Sequence, residues 1–368
     1  MAILFSNPAV SKNHEKTIVI GERIIDKNPW RNDLVKKQYE VALSQALKEH
    51  KLRHPGSTVK LVQSFDNGPT DGFALAEKVG ALGVAGYLYS PESLEASQLA
   101  QAKKIPYLAP ASPLNSISND FAYSLAASHN DLKRSLSTLR KRFDHPSIVL
   151  VPETFLTNLE YARIYEQTFN VIKTYRGTTS QIWQELSGTL PTLTEKEEVN
   201  ILFAGFAFEQ LELVQLVSSK AYANKVNLIG HVQWNYCEPQ LEAHLSTSVN
   251  NFYVFSDYFN PEKLAAFGFP VSVETVNAFK ELRNVVNNEP AVKGNSIDEP
   301  IIYVLKDMIA IALNAAEISQ NRDEFNKKYS SQNYVGTASS YHIVAKKPER
   351  KVYLGKWDGK SIQPLTTL

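Results

Sequence analysis

Short apolar runs alternate along this chain with longer stretches in which apolar residues recur every three or four positions. The first run, Ile18-Val19-Ile20, reads as a buried strand. Over 34–51, Leu34, Val35, Tyr39, Ala42, Leu43, Ala46 and Leu47 share one helical face. Between the two lies a loop, 22–32, that holds Trp30. A strand at 59–63, a helix over 73–82, a strand at 84–88, a helix over 94–104 and a strand at 105–108 follow. Strand and helix in turn is the rhythm of a parallel sheet with helices on its faces.

The rhythm restarts beyond Ser118. A helix is expected over 132–143, starting within 128–131, then a strand at 147–151, a helix over 159–170 and a strand at 171–175. Strands at 199–203 and 226–230 bracket a helix over 209–218. A strand at 251–255 is expected to return toward the first half, before helices over 273–286, 300–316 and 321–329. The pattern over 300–316 is apolar nearly all round, which predicts an element central to a lobe. The last part turns to period two, at 339–346 and 351–357, and these two runs read as a hairpin about Lys346-Lys-Pro-Glu-Arg350. The fold class is therefore α/β, as two doubly wound, Rossmann-like lobes. Chain crossings fall near 121–127, 255 and 334–340. The lobes are expected to be 1–123 plus 256–335 and 124–255 plus 336–368.

The stretch 83–118 organises the rest. Its helix has Ser90 or Ser93 as N-cap, Glu92 and Glu95 in the first turn, and Lys103-Lys104 at the end, where cations suit the dipole. The strands on either side both finish in small, hydroxyl-bearing turns. Ligands of open α/β sheets sit beyond the carboxyl ends of strands, so both turns face one crevice. A strand ending Gly86-x-x-x-Ser90, a helix, then Ile105-Pro106-x-x-x-Pro110-x-Ser112 resembles the type I periplasmic binding protein family, in its leucine/isoleucine/valine-type ABC transporter receptor branch. The resemblance holds in order from about Thr17 to Asp358. It implies a three-segment hinge between the lobes and a ligand cleft where they meet.

Composition narrows the functions. The 368 residues are 43% apolar and 21% charged, with net charge +1 and the charges interspersed, which argues against nucleic acid as a partner. The lone Cys237 excludes an internal disulfide and has no basic neighbour to favour a thiolate. No run of 18 apolar residues offers a membrane span. The opening MAILFSNPAV lacks a basic n-region and is too short for an intact signal peptide. It fits either a cytoplasmic protein or a trimmed, extracytoplasmic one with an added Met, and the resemblance favours the second. Enzyme motifs are missing: no Gly-x-Gly-x-x-Gly follows a strand, and there is neither a Walker loop nor a Gly-x-Ser-x-Gly elbow. His50 and His54 have metal-ligand spacing but read as a solvated pair beside Lys51 and Arg53. No metal or cofactor is expected.

What remains is a cleft that binds without reacting. Ser90, Glu92 and Ser93 cap a helix whose free N–H groups favour an anion. In the resembling receptors this turn and the turn matching Ala111-Ser112 hold the ligand carboxylate. Either Glu92 or Ser93 takes the serine position; Glu92 there would repel a carboxylate and prefer a cationic or neutral group. Trp30 lies where the family often sets an aromatic against the ligand. Phe155, in Glu153-Thr-Phe-Leu-Thr157, stands where relatives tend to carry Tyr, and Phe206 stands where they have Gly-Tyr, with Gly205 kept. After Gly230 amino-acid receptors place an acid for the ligand ammonium, whereas this chain has His231-Val232-Gln233-Trp234. Leaving an ammonium unpaired there would cost several kcal/mol, which argues against a plain α-amino acid unless Glu92, Glu209 or Asp257 supplies the charge. Gln233, Trp234 and Tyr258 complete an aromatic-rich lining, suited to a flat or apolar solute with one polar end.

The expectation is an extracytoplasmic receptor that closes on a small organic molecule and delivers it to an ABC permease. The ligand would be amino-acid-like, or an aromatic or apolar carboxylate or amide. The alternative keeps the fold for sensing or for protein interaction without transport. An unrecognised α/β enzyme is a third reading, for which no nucleophile–base–orienter set can be assembled.

Overall fold

A computed structural model describes residues 16–23, 29–65, 68–110, 117–205, 207–217, 222, 224–231, 251–288, 299–338, 340–344, 347–349 and 352–365. The first sheet has the order β2-β1-β3-β4-β5, all parallel, from β1 (Thr17–Glu22), β2 (Lys60–Phe65), β3 (Gly83–Gly86), β4 (Tyr107–Ala109) and β5 (Ala122–Ser124). It alternates with α1 (Pro29–Arg53), α2 (Pro69–Lys78) and α3 (Ser90–Lys103). Glycines let β1 and β3 approach. Gly86 has φ +131°, and a Cβ there would lie 1.9 Å from the Gly21 carbonyl oxygen. The buried Tyr87 ring fills the space over Gly21 and Gly72. Gly83 likewise packs on Phe325.

The second sheet has the order β15-β14-β10-β9-β8-β6-β7. β6 (Ser147–Pro152), β7 (Val171–Gly177), β8 (Val199–Phe203), β9 (Val226–Gly230) and β10 (Phe252–Ser256) run parallel, and β14 (Tyr353–Trp357) and β15 (Ile362–Pro364) are antiparallel additions. Its helices are α4 (His129–Leu139), α5 (Leu156–Thr168), α6 (Thr179–Lys196) and α7 (Ala207–Val217). α4 begins in a capping box in which the Ser128 hydroxyl accepts from Asp131 N–H. A matching box, Thr178 with Gln181, starts α6, where Ile182, Leu186 and Leu190 point inward. That helix is absent from the pattern-based expectation.

Among the described residues, four further helices follow: α8 (Pro261–Ala266), α9 (Val273–Asn287), α10 (Glu299–Glu317) and α11 (Arg322–Tyr329). α10 is buried along 302–313 and lies against α1 in the core of the first lobe, as its all-round apolar pattern predicts. Its two buried charges are both satisfied. Lys306 Nζ is 2.7 Å from Glu49, and the Asp307 carboxylate accepts the Thr337 and Ala338 N–H groups at 2.6 and 2.7 Å.

The strand at 251–255 pairs with β9 and β14 in the second sheet. Several expectations need correction. β12 (Ser340–Val344) pairs with β11 (Asn333–Val335) and β13 (Lys347–Glu349) in a separate three-stranded sheet, so it forms no hairpin with β14. β14 turns instead into β15 through Asp358-Gly359, where the Asp358 carboxylate accepts Lys360 and Ser361 N–H and Gly359 supplies φ +100°. Phe259 and Leu264 lie in the second-lobe core, and Ala338 and Ile343 in the first. The crossings after the first therefore come later in the chain than expected, with 259–271 and 338–343 on the opposite lobe. α1 starts at Pro29, not near 34, because proline suits a first helical turn. Trp30 is thus helical rather than in a loop. His50 is buried, not solvated: its Nε2 sits 3.0 Å from Ser57 Oγ and 3.1 Å from Glu317. Cys237 lies outside the described residues.

Candidate functional site

β5 leaves the carboxyl edge of the first sheet and reaches the start of α4, whose His129 meets Tyr161, the ring that stacks on His231 at the carboxyl end of β9 in the second sheet. Leu125 packs in the first core and Ala127 in the second. β10 ends beside this crossing. Phe255 is in the second core, Tyr258 in the first, and the Asp257 carboxylate accepts the Ala127 N–H at 2.8 Å. The carboxyl edges of both sheets therefore adjoin one hinge.

On the first-lobe edge, α3 has Tyr89 as N-cap with no side-chain cap, so neither Ser90 nor Ser93 plays the capping role expected of it. Ser93 is fully buried and donates to the Tyr87 carbonyl at 2.5 Å. Ser90 and Glu92 remain partly accessible. Arg23 Nη1 lies 3.8 Å from Glu92 Oε1, and Glu92 Oε2 has no hydrogen-bond partner among the described residues. Beneath them Glu22 is fully buried. Its Oε2 accepts the Leu88 N–H at 2.8 Å and the Tyr39 hydroxyl, and its Oε1 accepts the Arg23 N–H at 3.1 Å. Burial pushes this carboxyl up from 4.5 to about 7; the three donors oppose the shift and the Glu92 charge adds to it. Glu22 and Arg23 were not singled out from the sequence, since they look like the polar end of a strand.

On the second-lobe edge, Phe155 is the N-cap of α5 and 40% exposed, an apolar ring left at a strand exit. Six residues further along, Tyr161 stacks on His231 at the tip of β9, with centroids 4.1 Å apart and planes 12° apart. His129 meets the edge of Tyr161, and its Nδ1 is 2.8 Å from Glu160. His231 is buried. That holds its imidazole neutral, lowering it to about 3, although a hydrogen bond with the Gly205 backbone favours the charged form. The first residue after β9 is thus a buried, uncharged ring.

Of the expected site residues, the structure places Ser90, Glu92 and Phe155 at the two edges with accessible surface. Ser93 and Tyr258 are core residues. Trp30 is in the first turn of α1 by its backbone, and its side chain lies outside the described residues, as do Ala111, Ser112, Phe206, Gln233 and Trp234. Among the described residues no group of His, Cys, Asp or Glu is arranged to hold a metal, and no helix is long and apolar enough to cross a membrane.

No protein-family model matches the sequence, and no curated protein is similar to it. Solved structures are similar in fold. An ABC transporter substrate-binding protein from Desulfitobacterium hafniense, in complex with Leu, superposes with TM-score 0.68 at 16% identity, covering 95% of this chain and 99% of that one. The branched-chain amino acid substrate-binding protein LivJ from Streptococcus pneumoniae, in complex with isoleucine, gives 0.66 at 11% identity, covering 95% and 99%. The leucine-binding protein LivK from Thermotoga maritima gives 0.65 at 14% identity, covering 95% and 98%. The chain has the two-lobed fold of type I periplasmic binding proteins.

Proposed function

We propose that this protein is an extracytoplasmic solute receptor whose lobes close on a small organic ligand and present it to an ABC permease. The observation that carries the reading is the meeting of both carboxyl edges at one hinge, through Ala127 and Asp257. Closure would stabilise the bound state because only then does the ligand touch both lobes. Ser90 and Glu92 are its contacts on the first lobe and Phe155 on the second, with Trp30, Ala111, Ser112, Phe206, Gln233 and Trp234 assigned by resemblance. The neutral His231–Tyr161 stack offers no charge to a ligand ammonium, so the ligand is an aromatic or apolar carboxylate or amide, or an amino-acid-like molecule whose ammonium is met by another acid. The likeness to leucine- and isoleucine-bound structures supports an amino-acid-sized guest.

Calorimetry and thermal shift against panels of amino acids, aromatic acids and amides test this. One-to-one binding is expected from at least one compound, with a smaller radius of gyration in solution scattering. Binding by no panel member, with scattering unchanged throughout, would overturn the reading.

A further inference from the structure

Among the described residues, every group that reaches the Glu22 carboxylate is a donor: Leu88 N–H, Arg23 N–H and the Tyr39 hydroxyl. The other charged or titratable groups facing it among those residues are Glu92 from α3, Tyr87 from the exit of β3, Tyr107 from β4 and the Arg23 side chain beside Glu92. The bond to Leu88 has the widest effect. Leu88 follows Tyr87, whose φ of +54° is left-handed and rare for a bulky residue, and it precedes Ser90 and Glu92. A carboxylate on one strand therefore holds the turn that carries the candidate contacts of the next.

We propose that Glu22 is the positioning residue of the first-lobe binding turn, and that gain or loss of its proton sets the order of that turn and, with it, ligand affinity. Only the ligand arm of this proposal rests on the receptor reading. When ionised, Glu22 accepts from all three donors. When protonated, its O–H must face the Tyr39 oxygen, whose own hydrogen turns away. Leu88 N–H is then left on a neutral carboxyl, where the bond is weaker. Burial near Glu92 brings the exchange into the neutral range. A ligand that alters the charge beside Glu92 must then move the proton, so binding and protonation are linked.

Hydrogen exchange of the full chain from pH 5 to 8, corrected for intrinsic rates, reads the turn directly in peptides covering 87–92. Protection is expected to rise about tenfold as Glu22 ionises, with a midpoint near 7. Glu22→Gln should flatten the profile. Tyr39→Phe, which removes a donor favouring the ionised form, should move the midpoint upward and serves if the first variant does not fold. A flat wild-type profile, or a variant indistinguishable from wild type, overturns the proposal. The ligand arm uses L-leucine, L-phenylalanine and benzamide in calorimetry at pH 7 in phosphate and in Tris. Heats that differ between buffers for wild type but not for Glu22→Gln support the linkage, and buffer-independent heats for a probe that binds wild type overturn it. If no probe binds while exchange still follows Glu22, the positioning role stands and the receptor reading fails.

Discussion

Replacing His231 by Phe should change how stability depends on pH, and the size follows from burial. The imidazole titrates at 6.5 when unfolded and about 3 in the native state. Between these values the unfolded chain binds one more proton, so stability falls as pH falls. At about 1.4 kcal/mol per unit, the full interval is worth about 5 kcal/mol. Glu22 acts with the opposite sign. Its native value of about 7 lies above the ordinary 4.5, so the native state binds the extra proton and stability falls as pH rises, by about 3 kcal/mol over that interval. From pH 4.5 to 6.5 the two slopes cancel, and the wild type should be nearly flat with respect to this pair. His231→Phe keeps a ring against Tyr161 and removes the proton site. Relative to wild type it should gain about 3 kcal/mol on going from pH 6.5 to 4.5, offset by a constant cost of about 1 kcal/mol for the lost Gly205 bond. Urea unfolding followed by tryptophan fluorescence at several pH values measures this, with m checked for a change in cooperativity. A difference between variant and wild type that stays constant across the interval would refute the reasoning.

Other predictions address the frame and the cleft. Asp307→Ala strips the acceptor from two buried N–H groups and should cost about 3 kcal/mol or more in urea unfolding, with Asp307→Asn costing about half as much. Gly86→Ala puts a Cβ 1.9 Å from the Gly21 carbonyl oxygen in a left-handed conformation; a loss of roughly 4 kcal/mol or more, or no soluble protein, is expected. Phe155→Ala removes a side chain that is 40% exposed, so stability should move by no more than about 0.5 kcal/mol, whereas calorimetry should show affinity for any panel ligand down by about tenfold. Unchanged affinity would remove Phe155 from the site.

The alternation of strands and helices was legible because buried parallel strands leave short apolar runs and their helices leave a 3.6-residue stripe. α6 has such a stripe in Ile182, Leu186 and Leu190 and a Thr-x-x-Gln start, signals present in the sequence but weakened by Pro191 within the helix. The hairpin expectation failed for a different reason. Period two marks a strand but not its partner, and the stronger turn signal, Asp358-Gly359, stood one strand later. At the site, the turn at Ser90–Glu92 was marked in the sequence by its Ser-Pro-Glu-Ser run, whereas the turn at Ala111-Ser112 lies outside the described residues. Glu22 was not, because its burial depends on Tyr39 and Leu88, which are 17 and 66 positions away in sequence. Ser93 misled in the opposite way: a serine at a helix start suggests a cap, yet its hydroxyl went to the carbonyl of Tyr87.

The partnership of α1 with α10 also bears on how the molecule comes into being. Residues of the first helix and of 302–316 share one core, although some 260 positions separate them. A ribosome that has released only the first two hundred or so residues carries a nascent lobe whose main greasy flank has nothing to close against. Until the last quarter of the polypeptide emerges, that flank is available to chaperones, or to misassembly.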